Sequence, residues 1–151
     1  MPNNAITSSD TLTLYDRVFT DLANGQTVNI TFPNESVNVS TGKKGNGILA
    51  QNAEGKNATM TLRLLRGSAD DRFLQAKQRA ADADFAAQEL ASGTFVKRMG
   101  DGEGGIRFDT YTLRGGTMSR YQDAIEDVSG DVEQAVAVYN FKFINATRST
   151  K

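Results

Sequence analysis

The chain has 151 residues, with 17 lysines and arginines against 18 aspartates and glutamates, and it contains no cysteine, histidine or tryptophan. This length predicts one domain with a continuous core. The balanced charge argues against a protein that binds nucleic acid through the phosphate groups. Without cysteine the chain has no thiolate nucleophile, and without histidine it lacks the commonest general base and transition-metal ligand, so we do not expect an enzyme.

The start of the chain predicts neither export nor a membrane anchor. Residues 1–10 are polar and are expected to form a mobile terminus. They carry neither the basic region nor the apolar region of a secretory signal. No run approaches the ~20 apolar residues that a transmembrane helix needs. We therefore expect synthesis in a cytosol.

Alternating apolar and polar residues predict several strands in the first half of the chain. Within Thr27–Phe32, for example, Val28 and Ile30 alternate with polar neighbours, and Asn24-Gly25 is a turn signal just before them. The predicted strands are Thr11–Val18, Thr27–Phe32, Val37–Ser40 and Thr59–Arg66.

The most unusual segment is TGKKGNGILAQNAEGKN, Thr41 to Asn57, which we call the arm. Structureless loops longer than about 12–15 residues are commonly functional or disordered. This segment is rich in glycine, lysine and asparagine, yet Ile48 and Leu49 lie near its centre. We expect an extended arm whose apolar pair is buried by another molecule.

One helix is predicted at Ser68–Ala81. Ser68 is a suitable N-cap residue, and the acidic side chains Asp70 and Asp71 in the first turn suit the helix dipole. After the helix, Phe85–Leu90 and Thr94–Met99 predict a hairpin, although the composition of Phe85–Leu90 would also continue the helix.

The second half of the chain predicts two further long strands. Ile106–Tyr121 contains one, with a bulge or bend at Gly115-Gly116. Gln134–Ile144 is the strongest strand pattern in the chain, and Ser129-Gly130 is a turn before it. Together the elements predict a single mainly β domain over residues 1–151, an antiparallel β-sandwich or barrel-like fold with one flanking α-helix and a long loop arm.

Two glycine-rich motifs resemble nucleotide-binding or phosphate-binding sequences but are better interpreted as surface loops. Gly100, Gly102 and Gly105 match G-x-G-x-x-G, but a strand follows, so a hairpin loop is favoured. The arm resembles a phosphate-binding loop in its content of glycine and lysine. It lacks the motif G-x-x-x-x-G-K-[ST], and no helix is expected after it. No cofactor is predicted.

The acidic residues are also interpreted as surface. Asp101 and Glu103, with Asp109 nearby, could bind calcium weakly, but the EF-hand spacing is absent and a solvated loop is favoured. No metal site is predicted. A second acidic group is expected to be a solvated or partner-facing rim; its members are Asp123, Glu126, Asp127, Asp131 and Glu133.

The polar faces of the predicted strands are rich in threonine and asparagine rather than in lysine and glutamate. Such a face is hydrated yet weakly charged. It is either free surface or the wall of a water-filled channel between several subunits.

Two long runs of sequence carry a resemblance to a known family. The run FPNESVNVSTGKKGNGILAQNAEGKNATMTLRLLRGSADDRFL is followed near the end by GDVEQAVAVYNFKFINA. From about Asp16 to Ala146, the chain resembles the tail tube proteins of bacteriophages with contractile tails. The combination of FPN, TGKKGNG, LRGSADD and EQAVAVY carries this resemblance.

The resemblance implies a structural subunit that assembles into hexameric rings stacked as a hollow tube. Strands of neighbouring subunits would join into one β-barrel around a lumen, through which DNA passes as non-specific cargo. Further implied partners are the tail sheath outside and the baseplate and tail terminator at the tube ends. The implied location is the virion, after synthesis in the host cytoplasm.

Carried over by position, the arm would bridge adjacent rings, and Ser68–Ala81 would be an outer helix. The implied inter-ring or inter-subunit contact candidates are Lys43, Lys44, Asn46, Ile48, Leu49 and Lys56. Lumen-facing candidates, chosen on polarity alone, are Thr59, Thr61, Arg63, Thr110, Thr112 and Arg114.

Two alternatives remain open from the sequence. One is a ring-forming tube protein of a bacterial secretion machine or a phage-derived injection particle, which shares the architecture. The other is a ligand-binding β-sandwich module, such as a carbohydrate-binding or adhesin-like domain. The absence of tryptophan weakens the second, because sugar sites usually stack on aromatic rings.

Overall fold

The computed structural model describes residues 5–23, 27–121 and 135–150. The chain is mainly β, as the sequence predicts, and its main antiparallel sheet curls into a half-barrel. The strands are β1 (Ala5–Leu14), β2 (Arg17–Phe19), β3 (Val28–Thr31), β4 (Val37–Thr41), β5 (Gly47–Gln51), β6 (Ala58–Leu65), β7 (Ala91–Gly100), β8 (Ile106–Met118) and β9 (Val136–Thr150), and the α-helix is α1 (Ala69–Ala83).

Seven strands form the main sheet in the order β2-β1-β7-β8-β9-β6-β3, and β4 pairs with β5 in a separate hairpin. Every paired neighbour runs antiparallel. Two short 3-10 turns, Ala53–Lys56 and Phe85–Ala87, complete the described elements.

The core lies on one face of the main sheet, where the period-2 pattern of the strands places apolar side chains. In β6, Met60, Leu62 and Leu64 are fully buried and alternate with partly exposed polar residues. They lie beside Tyr139 and Phe141 of β9, which are also fully buried. This strict alternation explains why these two strands could be predicted from sequence alone.

Helix α1 covers part of this core and begins as predicted. The Ser68 hydroxyl accepts a hydrogen bond from the Asp71 amide at 3.2 Å, which is the expected N-cap contact. Leu74 is fully buried, and the Phe73 ring meets Tyr15 and Phe19 edge to face. The helix therefore packs against the β1–β2 end of the sheet.

Asp70, at the start of α1, is almost completely buried and fixes the end of β2. Its carboxylate accepts hydrogen bonds from Arg17 Nε at 2.9 Å and from the amides of Thr20 and Asp21 at 2.8 and 2.9 Å. Burial alone would raise the pKa of this carboxyl, but these three donors together lower it. The ionised carboxylate therefore joins helix and sheet.

A second buried polar contact joins α1 to β9. The Tyr139 hydroxyl donates to the Asp71 carboxylate and accepts from Gln75 Nε2 at 3.0 Å. Burial is the main reason that the pKa of Tyr139 is raised, and the hydrogen bond to Asp71 adds to it.

The predicted bend at Gly115-Gly116 is confirmed. Gly115 has φ of +66°, and the register between β7 and β8 shifts opposite it. A Cβ on Gly116 would lie only 2.2 Å from the ring of Phe143. Only glycine therefore allows the strands to approach this closely.

The predicted strand Phe85–Leu90 is wrong. Helix α1 continues to Ala83, two residues beyond the predicted end, and the 3-10 turn Phe85–Ala87 follows. The Asp84 carboxylate accepts from the Ala86 amide at 3.2 Å and so starts this turn. The helix does not continue through this segment either, because the backbone of Asp84 is extended and residues 88–90 have no regular structure before β7 begins.

Several strand boundaries also differ from prediction, three of them in ways that change the fold. The predicted strand Thr11–Val18 turns at Tyr15-Asp16, where both residues have positive φ as in a two-residue hairpin turn. Residues 5–10 belong to β1 rather than to a mobile terminus. Strand β9 continues past Ile144 to Thr150, because β8 supplies a partner for this polar segment.

Some predicted features lie outside the described residues. They are the turns at Asn24-Gly25 and Ser129-Gly130, the start of the last strand at Gln134, and the acidic group of Asp123, Glu126, Asp127, Asp131 and Glu133.

Candidate assembly surfaces

The arm is a projecting hairpin rather than a structureless loop. Strand β4, which precedes the arm, pairs with β5 from Val37↔Gln51 to Thr41↔Gly47, and every residue of both strands is exposed. Lys43, Lys44 and Asn46 lie at the tip, which is closed by a hydrogen bond from the Gly42 amide to the Asn46 carbonyl at 2.6 Å. We call β4, the tip and β5 the arm hairpin.

Ile48 and Leu49 lie on opposite faces of the arm hairpin, so they do not form one apolar contact. Leu49 is opposite Val39, whereas Ile48 is opposite Ser40. Leu49 and Val39 are 74% and 65% exposed, and Val37 lies on the same face. We call Val37, Val39 and Leu49 the apolar face of the arm hairpin. Sequence reasoning missed it because its two valines lie before the arm.

The base of the arm hairpin is closed by short contacts. The backbone amide of Asn52 donates to the Ser36 carbonyl at 2.8 Å, and its side-chain Nδ2 donates to the Glu35 carbonyl at 2.7 Å. Lys56 ends the 3-10 turn that follows, so this contact candidate lies at the base, apart from the tip lysines. The hairpin is thus held at its root and exposed beyond it.

The two groups of lumen candidates share one face of the main sheet. The side chains of β7 alternate between the two faces without interruption. Its core-facing residues Gly93 and Ala91 pair with Leu113 and Gly116 of β8, so both of these lie on the core face although a bulge separates them. The polar residues of β8 and β6 that alternate with the core-facing residues therefore lie on the opposite face, which we call the hydroxyl face. Its candidates are Thr59, Thr61, Arg63, Thr110, Thr112 and Arg114.

Hydroxyl groups continue across strands on this face. Cross-strand pairing places Thr13, Thr94, Thr112 and Thr147 in one row across β1, β7, β8 and β9. On β6 and β9, Thr61 Oγ1 lies within hydrogen-bonding distance of Asn140 Oδ1 at 3.3 Å. Sequence polarity predicted part of this row, but only strand register shows that the residues are neighbours.

The strands β1, β7, β8 and β9 form a continuous four-stranded part of the sheet, which we call the platform. Its hydroxyl face carries three cations, Arg98, Arg114 and Lys142, and no carboxylate among the described side chains. Arg98 lies opposite Phe108, six residues from Arg114, so the two are about 20 Å apart along the strand. The two arginines are therefore far apart, whereas Lys142 lies opposite Thr117, three residues along β8 from Arg114.

Both outer edges of the platform are open. Strand β2 covers β1 only over Leu12–Leu14, so in the described part of the chain no strand pairs with the outer side of residues 5–11. Strand β6 pairs with β9 only up to Phe143. In the described ranges, no strand therefore pairs with the outer side of residues 144–150. The two open edges are of equal length and lie on opposite sides of the platform.

The two open edges differ in their protection against pairing, because β1 has an irregular register between Ile6 and Asp10. Natural edge strands are commonly blocked by lysine, proline, β-bulges or inward-pointing charges. Each open edge here contains one charged residue, and each contacts the adjacent strand: Asp10 pairs with Lys97 at 3.2 Å, and Arg148 binds Asp109 through two 2.9 Å contacts. The hydrogen bond from Arg148 is the main reason that the pKa of Asp109 is lowered.

An apolar groove of about 720 Å³ opens beside the root of the arm hairpin. Its apolar lining includes Phe85, Leu90 and Ile144, which are 72%, 48% and 69% exposed. Pro33 and Asn34 line the end nearest the arm. We call it the Phe85 groove. Sequence reasoning missed it because it is built from the mispredicted 85–90 segment and from β9.

The glycine-rich motif is a hairpin loop, as predicted. It joins β7 to β8, and the Asp101 carboxylate accepts from the amides of Glu103 and Gly105 at 2.8 and 2.9 Å. These two bonds are the main reason that the pKa of Asp101 is lowered. Asp109 is engaged with Arg148, and the described residues contain no group of three or more acidic side chains that could hold a metal ion.

Within the described ranges, no helix is long and apolar enough to cross a membrane. No protein-family model matches the chain, and no curated protein is significantly similar to it. The surfaces that bear on function are the arm hairpin, the hydroxyl face and the open platform edges.

Proposed function

We propose that the chain is a structural subunit that assembles edge to edge into rings, which stack into the hollow inner tube of a contractile phage tail. The observation that carries this proposal is the pair of open, equally long edges at residues 5–11 and 144–150 on opposite sides of the platform. The resemblance to tail tube proteins supplies the expectation of a hexamer and of a DNA conduit.

The direction of the strands suits such an assembly. The platform strands alternate in direction, so β1 and β9 run oppositely. When β9 of one subunit meets β1 of the next, the new pair is antiparallel and continues the pattern of the sheet. Because the two edges differ, the contact is heterologous, and such contacts generate rings when the rotation closes.

A closed ring of this kind would enclose a wide lumen. With strands about 4.8 Å apart, a hexamer with four platform strands per subunit has a circumference of about 115 Å and a backbone diameter of about 37 Å or more, depending on strand tilt. We propose that the hydroxyl face lines this lumen. Its threonine rows hydrate well, and its separated arginines suit DNA that slides rather than binds.

The energetics favour closed rings over free dimers. About six backbone hydrogen bonds at about 0.5–1.5 kcal/mol each give about 3–9 kcal/mol per interface, against an association cost of about 4–15 kcal/mol. A single edge contact is therefore marginal. Closing a ring adds one more interface without a further loss of translational freedom, so the complete ring gains most.

We further propose that the arm hairpin connects one ring to the next. It projects from the body, is fully exposed, and carries the apolar face and the tip lysines. A ring-forming tube protein of a secretion machine or injection particle would use the same surfaces. A ligand-binding β module would instead use the Phe85 groove and would stay monomeric.

The proposal is tested by negative-stain electron microscopy and sedimentation of the purified chain over a range of salt and protein concentrations. We expect hollow rings and stacked tubes. A protein that stays monomeric throughout, with native circular dichroism, would refute the proposal.

The role of the arm hairpin is tested by changing both Ile48 and Leu49 to Asp. Both side chains are more than two-thirds exposed, so the subunit should remain folded. We expect rings that no longer stack. Tubes of normal length would show that the arm hairpin is not the connector.

A further inference from the structure

Four charged side chains of alternating sign lie side by side across the platform. The strand register places Asp10 of β1 opposite Lys97 of β7, and Lys97 opposite Asp109 of β8. Arg148 of β9 lies diagonally beside Asp109 and binds it through Nε and Nη2, at 2.9 Å each. We call these four residues the charge row. Because Lys97 is four residues from the core-facing Gly93 on a regularly alternating strand, the charge row lies on the side opposite the hydroxyl face.

The two ends of the charge row have opposite signs, and they lie at the two open edges of the platform. Asp109, inside the row, is 13% exposed, whereas the Arg148 side chain is 56% exposed in spite of its two bonds. These bonds use Nε and Nη2, and a guanidinium carries five N–H donors, so Arg148 can bind a further acceptor. Asp10 contacts Lys97 through Oδ1, and a carboxylate accepts at both of its oxygens.

We propose that Arg148 of one subunit binds Asp10 of the next subunit, so that the charge row continues from subunit to subunit. This inference rests on the proposed edge-to-edge ring and names the residues that set its register. The partner is a second copy of the chain because one chain carries both halves of the contact, on β9 and β1, which meet antiparallel in the proposed ring. We call the contact between β9 and the next β1 the seam.

The geometry of the sheet limits how the two edges can align. A shift by one residue exchanges the faces of a strand, so the registers that match faces differ by two residues. Strand β2 occupies the outer side of β1 from Leu12 onward, and β6 occupies that of β9 up to Phe143. Strand β1 is also irregular between Ile6 and Asp10, which weakens the ladder there and gives side-chain contacts more weight in setting the register.

One register satisfies these limits and joins the charges. With Ala146 opposite Asp10, residues 145–150 align with residues 11–6, and neither covered segment is needed. Arg148 then lies diagonally beside Asp10, as it does beside the carboxylate of its own subunit, at the ~7–8 Å that long side chains reach across. A shift of two residues one way leaves only four free pairs, and the other way places Arg148 four residues from Asp10.

An exchange of charges between two variants tests this ion pair. One variant carries Asp10→Arg and the other carries Arg148→Asp. Alone, each variant brings like charges together at every seam, and we expect assembly to need a protein concentration at least about tenfold higher than that of the native chain. In an equal mixture, alternating subunits join opposite charges at every seam, so assembly should return to nearly the native concentration.

The matched control is Glu89→Arg. Glu89 also binds a lysine of its own subunit, Lys77, and the substitution makes the same change in charge as Asp10→Arg, but it lies before β7, away from both platform edges. We expect the control to assemble like the native chain, and circular dichroism checks that every variant folds. Single variants that assemble like the control would overturn the ion pair. A mixture of folded variants that stays as defective as its components would also overturn it.

Disulfide cross-linking measures the register directly, because the chain has no cysteine. Thr11→Cys with Asn145→Cys places two thiols opposite one another across the seam, whereas the control, Thr11→Cys with Thr147→Cys, offsets them by two residues; all three positions are exposed. The two edges of one platform are three strand spacings, about 14 Å, apart, which is too far for a disulfide within a subunit. We expect at least tenfold more covalent oligomers from the first pair. Equal yields, or a higher yield from the control, would overturn the register.

Electron microscopy of the same samples separates this inference from the proposed ring. Rings of the native chain that the single charge variants form equally well would overturn the ion pair and leave the ring standing. Association that the mixture restores without closed rings would overturn the ring and keep the ion pair. A native chain that never associates would overturn both.

Discussion

Replacing Asp70 by Asn tests whether this buried carboxylate fixes the β2 end of the platform. One oxygen accepts from Arg17, and the other accepts from the amides of Thr20 and Asp21. In the variant, the remaining oxygen can serve the two amides, but the side-chain NH₂ group then faces the Arg17 donor. The ion pair is lost and two charge-assisted hydrogen bonds become neutral.

The loss of one hydrogen bond to a charged group removes about 1.5–3 kcal/mol, and the weakening of the other two removes about 0.5 kcal/mol each. We therefore expect the D70N variant to be about 3 kcal/mol less stable at pH 7. In a domain of this size, that corresponds to a fall in Tm of about 6–12 °C. Urea denaturation followed by circular dichroism under monomeric conditions measures the difference.

The pH dependence gives a second readout of the same group. The pKa of Asp70 is lower in the folded state than its ordinary value of 3.8, so its contribution is complete above that pH. The contribution is lost as the pH falls through the folded-state pKa. The stability gap between the native chain and the variant should therefore be constant from pH 7 to about pH 5 and shrink below 3.8.

The matched control is Asp82→Asn on the exposed side of the same helix, where the carboxylate contacts only the exposed Tyr121 hydroxyl in the described contacts. We expect a change within about 0.5 kcal/mol there. A D70N variant as stable as this control, or a gap that persists unchanged at pH 3, would refute the assigned role of Asp70.

Further predictions concern the core and the arm hairpin. Tyr139→Phe leaves Asp71 without its phenolic donor and should cost about 1–3 kcal/mol in urea denaturation, whereas Tyr121→Phe at the surface should cost almost nothing. Gly116→Ala forces a Cβ against the ring of Phe143 and should cost about 1–3 kcal/mol or more in thermal melts; an unchanged Tm would contradict the close approach of β8 and β9. Leu49→Asp should leave the monomer within about 0.5 kcal/mol of the native chain, because this side chain has no buried contacts to lose.

The strands that face the core on one side could be predicted from sequence because burial imposes a strict period of two. Residues 59–65 and 136–143 follow this rule, and Ser68 gives the helix start through its capping hydroxyl. The strand boundaries could not be predicted where tertiary partners decide them. The polar end of β9 is a strand because β8 pairs with it, and nothing in NATRST indicates that.

The candidate surfaces were predictable to different degrees. The tip lysines and the exposed apolar residues of the arm are visible in its unusual composition. The division of Ile48 and Leu49 between two faces depends on the pairing of β5 with a strand outside the arm. The open platform edges depend on where β2 and β6 end, which is a property of sheet order and not of local sequence.

The central claim is that one sheet continues from subunit to subunit through the platform edges. Amide hydrogen exchange, compared between the assembled and the dissociated protein, measures this directly. We predict that residues 5–11 and 144–150 both become strongly protected on assembly, while the β7–β8 loop at residues 101–105 is unchanged. Assembly that leaves both edge segments exchanging at their dissociated rates would contradict the account.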